Sequence, residues 1–194
     1  MDFIVKNTRF VLAFTALFSL AVASCGKGDG EADCGLAFVY MPQATITGSS
    51  NQYPVPSGDG THTYNFKLEG GKLNIILGVL RSGKFDNPQG FSVNIQVSSA
   101  ETDNAVALID NAVALPSNIY QMPNKVTVED GNSSATFYLS VDVNQLLNGT
   151  YDGKQLVLAV EMGEPTHYNR AEQNTSVVVV IDVDAMRTIL TPQP

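Results

Sequence analysis

Ala-Thr-Phe-Tyr-Leu-Ser-Val, residues 135–141, is the stretch of this sequence that most clearly decides its fold. Side chains of a β-strand point alternately to its two faces, so alternating apolar and polar residues indicate a strand with one buried and one wet face. The same alternation runs through residues 64–69, 91–98 and 155–162. We therefore expect most of the chain to form half-buried strands, with shorter strands at 36–40 and 125–129.

Two further runs are apolar on more than one face. Leu73–Leu80 carries Ile76 and Leu80 on the face opposite to its other apolar side chains, and Val177–Val183 has a similar composition. Strands of this kind are usually buried on both faces. Both runs are therefore predicted to be covered on both sides.

Glycine, proline and asparagine separate the strands, and two short segments favour helical turns. One is 105–110 behind the cap candidates Asp103 and Asn104, and the other is 143–147 with Asp142 as its cap. Little helix among many strands predicts an all-β fold, an antiparallel immunoglobulin-like β-sandwich of about seven to eight strands with one or two short helical turns. We expect this domain to span 36–184, followed by a tail over 185–194.

The first 24 residues have the layout of a secretory signal. Lys6 and Arg9 form a positive region, an apolar segment of roughly a dozen residues follows, and small residues lead to Cys25. The final Val-Ala-Ser-Cys resembles the bacterial lipobox, in which the cysteine is lipidated and becomes the mature N-terminus. This resemblance implies that Cys25 anchors the protein in a membrane through lipid. The alternative is an ordinary signal peptide that is cleaved nearby, with Cys25 incidental.

Residues 25–35 are predicted to be a flexible acidic tether, because residues 26–33 read Gly-Lys-Gly-Asp-Gly-Glu-Ala-Asp. Acidic residues just after the cysteine also resemble the export signal of Bacteroidota-type surface lipoproteins. That resemblance implies an outer-membrane protein exposed on the cell surface, whereas a merely solvating tether is compatible with the periplasmic face. Cys34 is a lone thiol near the anchor, and we expect it to be packed or inert.

The chain is acidic, with 11 Lys+Arg, 19 Asp+Glu and a net charge of −8. Loss of Asp2, Lys6 and Arg9 with the signal segment changes the net charge to −9. A charge of this sign repels phosphate backbones, so we expect no nucleic-acid partner.

No catalytic pattern stands out in the sequence. His62 and His167 are the only histidines, and neither lies in a recognisable site motif. The Gly-x-Ser-x-Gly, His-Glu-x-x-His and Cys-x-x-Cys spacings are absent, so we expect no enzyme activity, no cofactor and no metal. Asp182 and Asp184 share one face, but the glycine loop of oxygen ligands typical of calcium sites is missing. We interpret these two carboxylates as charges that discourage pairing at a sheet edge.

Sugar rings stack on exposed aromatic side chains, so aromatic residues in loops are the candidate ligand-binding residues. They are Tyr53, Phe85, Tyr151 and Tyr168, with Asn169 and Gln173 as neutral hydrogen-bonding groups nearby. The alternative for each ring is that it packs back onto the sandwich. The chain has no tryptophan, which is the best stacking side chain.

Several segments taken together resemble a known domain family. They are residues 39–44, Leu115-Pro116 with Tyr120 and Pro123, residues 126–137, Val141-Asp142, and Tyr168 ahead of residues 177–182. The family is the immunoglobulin-like domain of unknown function at the N-terminus of Bacteroidota surface lipoproteins, often ahead of a family-18-type endo-N-acetylglucosaminidase or another carbohydrate-active module. The resemblance implies a β-sandwich with an accessory role in glycan handling, and it supplies no catalytic or binding residues.

Two functions follow from these expectations. The first is a non-catalytic cell-surface lipoprotein that acts as an accessory or glycan-binding module. The second is a structural or protein-interaction subunit of an outer-surface complex or adhesin, with a protein partner. The apolar run Val177–Ile181 motivates the second function, because an incompletely covered strand invites pairing with a partner strand.

Overall fold

The computed structural model describes residues 36–46, 50–58 and 64–190. Outside these residues lie the predicted signal segment over 1–24, the predicted tether over 25–35 with Cys25 and Cys34, and His62. The expectations for them stay predictions. The described chain forms two β-sheets with a few short helices. The predicted all-β sandwich class is therefore confirmed.

Sheet 1 contains six strands, which are β1 (Phe38–Tyr40), β3 (Phe66–Glu69), β4 (Lys72–Arg81), β7 (Tyr120–Gln121), β9 (Ser134–Asp142) and β11 (Asn169–Arg170). Their order across the sheet is β11–β1–β4–β9–β7, and β3 also pairs with β4. The antiparallel pair of β4 and β9 is its long centre, from Lys72 opposite Asp142 to Leu80 opposite Ser134.

Sheet 2 also contains six strands, which are β2 (Gln52–Val55), β5 (Phe91–Val97), β6 (Ala112–Ala114), β8 (Lys125–Val128), β10 (Gln155–Met162) and β12 (Ser176–Asp182). Their order is β2–β12–β10–β5–β8, and β6 also pairs with β10. Strand β12 therefore lies inside the sheet, between β10 and β2.

The two sheets face each other across one apolar core. The inward-facing side chains of both sheets are buried, among them Leu73, Ile75, Leu77, Val79, Leu139 and Val141 from sheet 1 and Val93, Ile95, Leu156, Leu158, Val160, Val177, Val179 and Ile181 from sheet 2. The alternation predicted for β5 and β9 is confirmed, because every second residue of each strand enters this core.

Helix α1 (Ser99–Leu108) covers the outer face of sheet 2. Ala105 packs against Val157, Ala159, Val178 and Val180 in a second apolar cluster. The buried hydroxyl of Thr102 accepts a hydrogen bond from the Ala159 amide at 2.9 Å and donates to the Ser98 carbonyl at 2.8 Å. The prediction that Val177–Val183 is covered on both faces is therefore confirmed for residues 177–181.

The residues that the structure describes place no comparable cover on the outer face of sheet 1. Ile76 and Leu80 point to this face and are only half-buried. The described residues form no apolar cluster on it of the kind that α1 forms on sheet 2. The prediction that Leu73–Leu80 is covered on both sides is therefore wrong for the outward face.

The sheets differ in two details from the expected antiparallel sandwich. The described residues form twelve strands, and the additional ones are short segments such as β6, β7 and β11 that are too brief to show a period. Three pairs are parallel, namely β1 with β11, β2 with β12 and β6 with β10. The sheets are therefore mixed.

Of the two predicted helical turns, one has different bounds in the structure and one matches. Helix α1 starts after Ser98, so it begins earlier than the predicted 105–110, and Asp103 and Asn104 lie within it instead of capping it. Helix α2 (Val143–Leu146) matches the prediction, because the Asp142 carboxylate accepts from the Gln145 amide at 3.0 Å. A short 3₁₀ helix (Pro42–Thr45) precedes β2. Within the described ranges, no helix combines the length and apolar character needed to cross a bilayer.

Helix α3 (Val183–Leu190) occupies most of the segment that was expected to be a tail. The Asp182 carboxylate accepts from the Ala185 amide at 2.9 Å, which satisfies a free donor of the first helical turn. Met186 is fully buried in the main core, and Arg187 forms an ion pair with Asp152. The tail prediction is therefore wrong over 185–190, and residues 191–194 lie outside the described ranges.

We expect Met186→Ala to lower the free energy of unfolding by about 2–5 kcal/mol, because it removes a fully buried side chain from the core. Urea denaturation measures this change. Ile189→Ala is the matched control on the same helix, where the side chain is exposed, and it should change the free energy by less than about 1 kcal/mol. Equal effects of the two variants would show that α3 does not belong to the core.

Candidate functional site

Three loops meet at one end of the sandwich, the loops of residues 82–90, 129–133 and 163–175. Hydrogen bonds join these loops. The Gly131 amide donates to the Pro88 carbonyl at 2.9 Å. The Gly90 amide donates to the Asp130 carboxylate at 2.6 Å. The Tyr168 hydroxyl donates to the Gln89 carbonyl at 2.9 Å. We call this region the loop end.

A buried arginine lies beneath the loop end. Arg81 is the last residue of β4, and its side chain is only 4% exposed. Its Nη1 donates to the carbonyls of Ser82 and Gly83, both at 3.3 Å, while Nε has no hydrogen-bond partner. No carboxylate among the described residues pairs with this guanidinium. Burial of an unpaired charge is costly, so other groups must stabilise it.

Aromatic rings supply that stabilisation. The Arg81 guanidinium lies 4.5 Å from the centre of the Phe85 ring and 5.2 Å from that of Tyr168. The Tyr168 ring in turn packs against Phe85, at 6.0 Å between centroids, and edge-on against the core residue Phe91, at 5.8 Å. Each cation–π contact contributes roughly 0.5–2 kcal/mol. We call Arg81, Phe85, Phe91 and Tyr168 the Arg81 cluster.

The backbone conformation holds the rings in place. Gly83 has φ +82°, and a Cβ atom there would lie 2.9 Å from the Phe85 ring, so only glycine fits. Tyr168 itself adopts φ +70°, which costs a residue with a side chain of the order of 1 kcal/mol. Its hydroxyl bond and its ring contacts offset that cost.

The structure thus brings together two of the four aromatic residues predicted from sequence, Phe85 and Tyr168. Both are half-buried, so part of each side chain is accessible at the loop end. Neutral hydrogen-bonding side chains are exposed on the same loops, which are Asn87, Gln89, Thr166, Asn169 and Gln173. His167 is exposed beside Tyr168, with 6.5 Å between ring centroids.

Tyr53 does not belong to this surface, which corrects its prediction as an exposed loop aromatic. It lies in β2, opposite Val179 of β12, and is 5% exposed. Burial raises the pKa of the Tyr53 phenol, and a hydrogen bond with Asn65 partly offsets that rise. The proline-rich context suggested a loop, but the alternation of Gln52, Tyr53, Pro54 and Val55 places Tyr53 on the core face.

Tyr151 and the candidate carboxylates also lie apart from the loop end. Tyr151 is half-buried against the core, in the turn after α2. Asp184 accepts a hydrogen bond from the Gly153 amide at 3.1 Å, while Asp182 caps α3. The described part of the chain contains no group of three or more His, Cys, Asp or Glu side chains that could hold a metal ion.

Sequence reasoning missed Arg81, although a signal for it existed. Leu73, Ile75, Leu77 and Val79 occupy the inward positions of β4, and the same period places residue 81 inward. A charged residue at the inward end of an apolar strand indicates either a strand terminus or a buried charge. Its aromatic partners are distant in sequence, so their convergence could not be predicted.

Comparison with known proteins finds no matching family model and no matching curated sequence. Several solved structures share the fold of this chain. A candidate carbohydrate-binding protein from Bacteroides ovatus is 12% identical, with a TM-score of 0.50 over 75% of this chain and 36% of its own. A two-domain protein of unknown function from Bacteroides fragilis is 14% identical, with a TM-score of 0.51 over 76% of this chain and 45% of its own. Another protein of unknown function from Bacteroides ovatus is 12% identical, with a TM-score of 0.50 over 76% of this chain and 52% of its own.

These similarities concern the fold, because identities this low do not carry function. The chain spans about a third to a half of the length of the solved structures that it matches. The matched part is therefore one portion of each larger Bacteroides protein.

We expect Tyr53→Phe to reduce the loss of stability at high pH. Because the folded-state pKa of Tyr53 is raised above its unfolded value of about 10, the stability that the neutral phenol contributes is complete below about pH 10. That stability is lost as the pH rises through the folded-state pKa. Urea midpoints at neutral pH and at about pH 11 should therefore differ less in the variant than in the wild type.

Leu108→Ala is the control, since it changes an exposed side chain that does not titrate. It should keep the wild-type difference between the two pH values. Identical pH dependence of Tyr53→Phe and the wild type would contradict the burial of this phenol.

Proposed function

We propose that this chain is a non-catalytic, glycan-binding accessory module that a lipid at Cys25 displays on the outer cell surface. In this proposal it is a member of the immunoglobulin-like domain family of Bacteroidota surface lipoproteins. It works without a cofactor or metal, and its task is to capture or position glycan for a carbohydrate-handling system.

The observation that carries the proposal is the convergence of Phe85 and Tyr168 at the loop end. Protein sites for sugars combine an aromatic surface for the C–H faces with neutral groups for the hydroxyls. The loop end offers both, because Asn87, Gln89 and Thr166 are exposed on the loops that carry the two rings. The Arg81 guanidinium and Phe91 hold the rings from below, so little conformational entropy is lost on binding.

The shared fold gives weaker support. One structure of similar fold is a candidate carbohydrate-binding protein from Bacteroides ovatus. Its likeness to this chain makes a glycan a reasonable first ligand to test, and the residues of the loop end give the reason to test it there.

The alternative of a protein-interaction subunit loses its original motive. Residues 177–181 belong to β12, which is paired on both sides by β10 and β2. The neighbouring edge strand β2 is blocked as well, because Pro54 has no amide donor and its carbonyl accepts from the Asn65 side chain at 2.8 Å. A partner strand therefore has no free β12 edge to join.

We expect Cys25→Ala to release the protein from the membrane fraction, because two or more acyl chains are needed for stable anchoring. Fractionation and intact mass measure this change, and the wild type should carry added lipid mass. Cys34→Ala is the matched control and should stay in the membrane fraction. A Cys25→Ala protein that remains membrane-bound with an unchanged precursor mass rules out the anchor.

We expect Phe85→Ala to weaken glycan binding by about tenfold, since losing an aromatic contact costs roughly 1–2 kcal/mol. Affinity electrophoresis of the detergent-solubilised protein in gels with soluble mannan, xylan, β-glucan or amylopectin measures this. The wild type should be retarded by at least one of these polysaccharides.

Tyr151→Ala is the control for this experiment, because Tyr151 is a half-buried aromatic residue away from the loop end. It should be retarded like the wild type, and circular dichroism should show both variants folded. A wild-type protein that none of the four polysaccharides retards would contradict the proposed function.

A further inference from the structure

The two outer faces of the sandwich differ in how the described residues cover them. On sheet 2, helix α1 buries Val157, Ala159, Val178 and Val180. On sheet 1, the described residues supply no such layer, although the outward positions carry large apolar side chains. An apolar surface that the chain leaves open is a frequent mark of a binding surface.

The strand register fixes which side chains share this surface. Tyr40 lies opposite Leu80, Gly78 opposite Thr136, and Ile76 opposite Tyr138. Phe38 precedes Tyr40 by two residues, so it points to the same face, and it is 39% exposed. We call the outward side chains of Phe38, Tyr40, Ile76, Leu80, Thr136 and Tyr138 the open face.

The chemistry of the open face suits a sugar. Three of its six side chains are aromatic, and two of these, Tyr40 and Tyr138, also carry a hydroxyl. Tyr138 is held in place by Lys67, whose Nζ lies 3.3 Å from the phenol oxygen and 5.7 Å from the ring centre. The next row contains Asn74 and Ser140, neutral groups that bond to each other at 2.6 Å.

The charge distribution selects a neutral ligand. The chain carries a net charge of −8, which repels an anionic glycan. None of the six residues that define the open face is charged, but the Lys67 ammonium reaches this face at Tyr138. Charged outward residues of sheet 1 lie beyond Tyr138, at the end of the sheet away from the loop end, and they are Lys67, Glu69, Lys72 and Asp142. Among the described residues, an anionic glycan on the open face would meet one counter-charge, Lys67, whereas a neutral glycan needs none.

The open face is continuous with the loop end. Phe38 lies beside Ser82, whose amide donates to the Phe38 carbonyl at 2.9 Å and whose hydroxyl accepts from the Phe38 amide at 3.0 Å. Ser82 is followed by Gly83 and then by Phe85 of the Arg81 cluster. Ser82, the residue after β4, is six residues from Ile76, which corresponds to about 20 Å of extended strand.

We infer that a neutral glycan chain bound at the loop end continues along the open face, over Phe38 and Tyr40 to Tyr138. This inference rests on the proposed function and names its second contact region and its ligand class. A site about 20 Å longer than the loop end alone should bind long oligosaccharides better than short ones. Thr136, opposite Gly78 in the middle of the track, is exposed, and the Gln43 side chain lies beside Gly78, whose amide donates to its Oε1 at 3.1 Å.

The test uses whichever of the four polysaccharides retards the wild type, cut into its disaccharide and hexasaccharide, with calorimetry on the detergent-solubilised protein. The wild type should bind the hexasaccharide at least about tenfold more tightly. Tyr138→Ala and Thr136→Arg should reduce that preference to less than about threefold while leaving disaccharide binding unchanged. Tyr138→Phe keeps the ring and should keep most of the preference.

Leu108→Ala is the control, because Leu108 is 83% exposed on α1 at the other outer face. It should bind both oligosaccharides like the wild type. A wild type with a clear length preference that neither Tyr138→Ala nor Thr136→Arg changes overturns the inference and leaves glycan binding at the loop end intact. Retention by none of the polysaccharides overturns both.

Light scattering of the same variants separates glycan from a second copy of the chain. A wild-type dimer that Thr136→Arg converts to a monomer would mean that the open face is an interface between copies, which also overturns the inference. A monomer in both cases supports the glycan track.

Discussion

The burial of β12 on both faces is the constraint on which the rest of the structure depends. Five consecutive residues, 177–181, are all buried. Their odd-numbered side chains enter the core between the sheets, while Val178 and Val180 need cover on the other side. Burial of one such side chain stabilises the fold by roughly 1.5–3 kcal/mol, so the chain gains by placing α1 there. That placement seals sheet 2 and leaves sheet 1 as the open side.

Much of this arrangement could be predicted from sequence. Alternation identified β5 and β9, and the unbroken apolar run identified β12 as a strand covered on both faces. Helix α1 was harder, because its contacts with sheet 2 are made by small or polar residues such as Thr102 and Ala105. A helix that packs through these residues shows no apolar stripe, so its start could not be read from periodicity.

The candidate site was predictable only in part, for reasons of distance along the chain. Phe85 and Tyr168 could be recognised as loop aromatics, but their meeting over Arg81 depends on the way that β4 and β10 end at the same edge of the sandwich. Tyr53 was misplaced because Pro54 and Pro56 suggested a loop, whereas parallel pairing with β12 carries β2 through Pro54 to Val55. The pairing of β2 with β12 therefore decides the position of Tyr53. The two strands are far apart in sequence, so the residues around Tyr53 alone do not reveal this pairing.

Among the described residues, α1 covers the outer face of sheet 2, the outer face of sheet 1 has no such layer, and three loops meet at one end of the sandwich. At the loop end, aromatic rings stabilise the buried Arg81 guanidinium. The carboxylates of Asp142 and Asp182 cap helices. We assign the proposed function to the two remaining surfaces, which are contiguous at Phe38 and Ser82. Both surfaces present aromatic side chains, which is why we propose a glycan as their ligand.

The most direct test is chemical-shift mapping of the isotope-labelled protein during titration with hexasaccharides of mannan, xylan, β-glucan and amylopectin. We predict that one of these ligands perturbs the amides of β4 and β9 around Gly78 and Thr136, together with residues 82–90, and leaves α1 unchanged. Perturbation centred on α1, or none with any ligand, would contradict it.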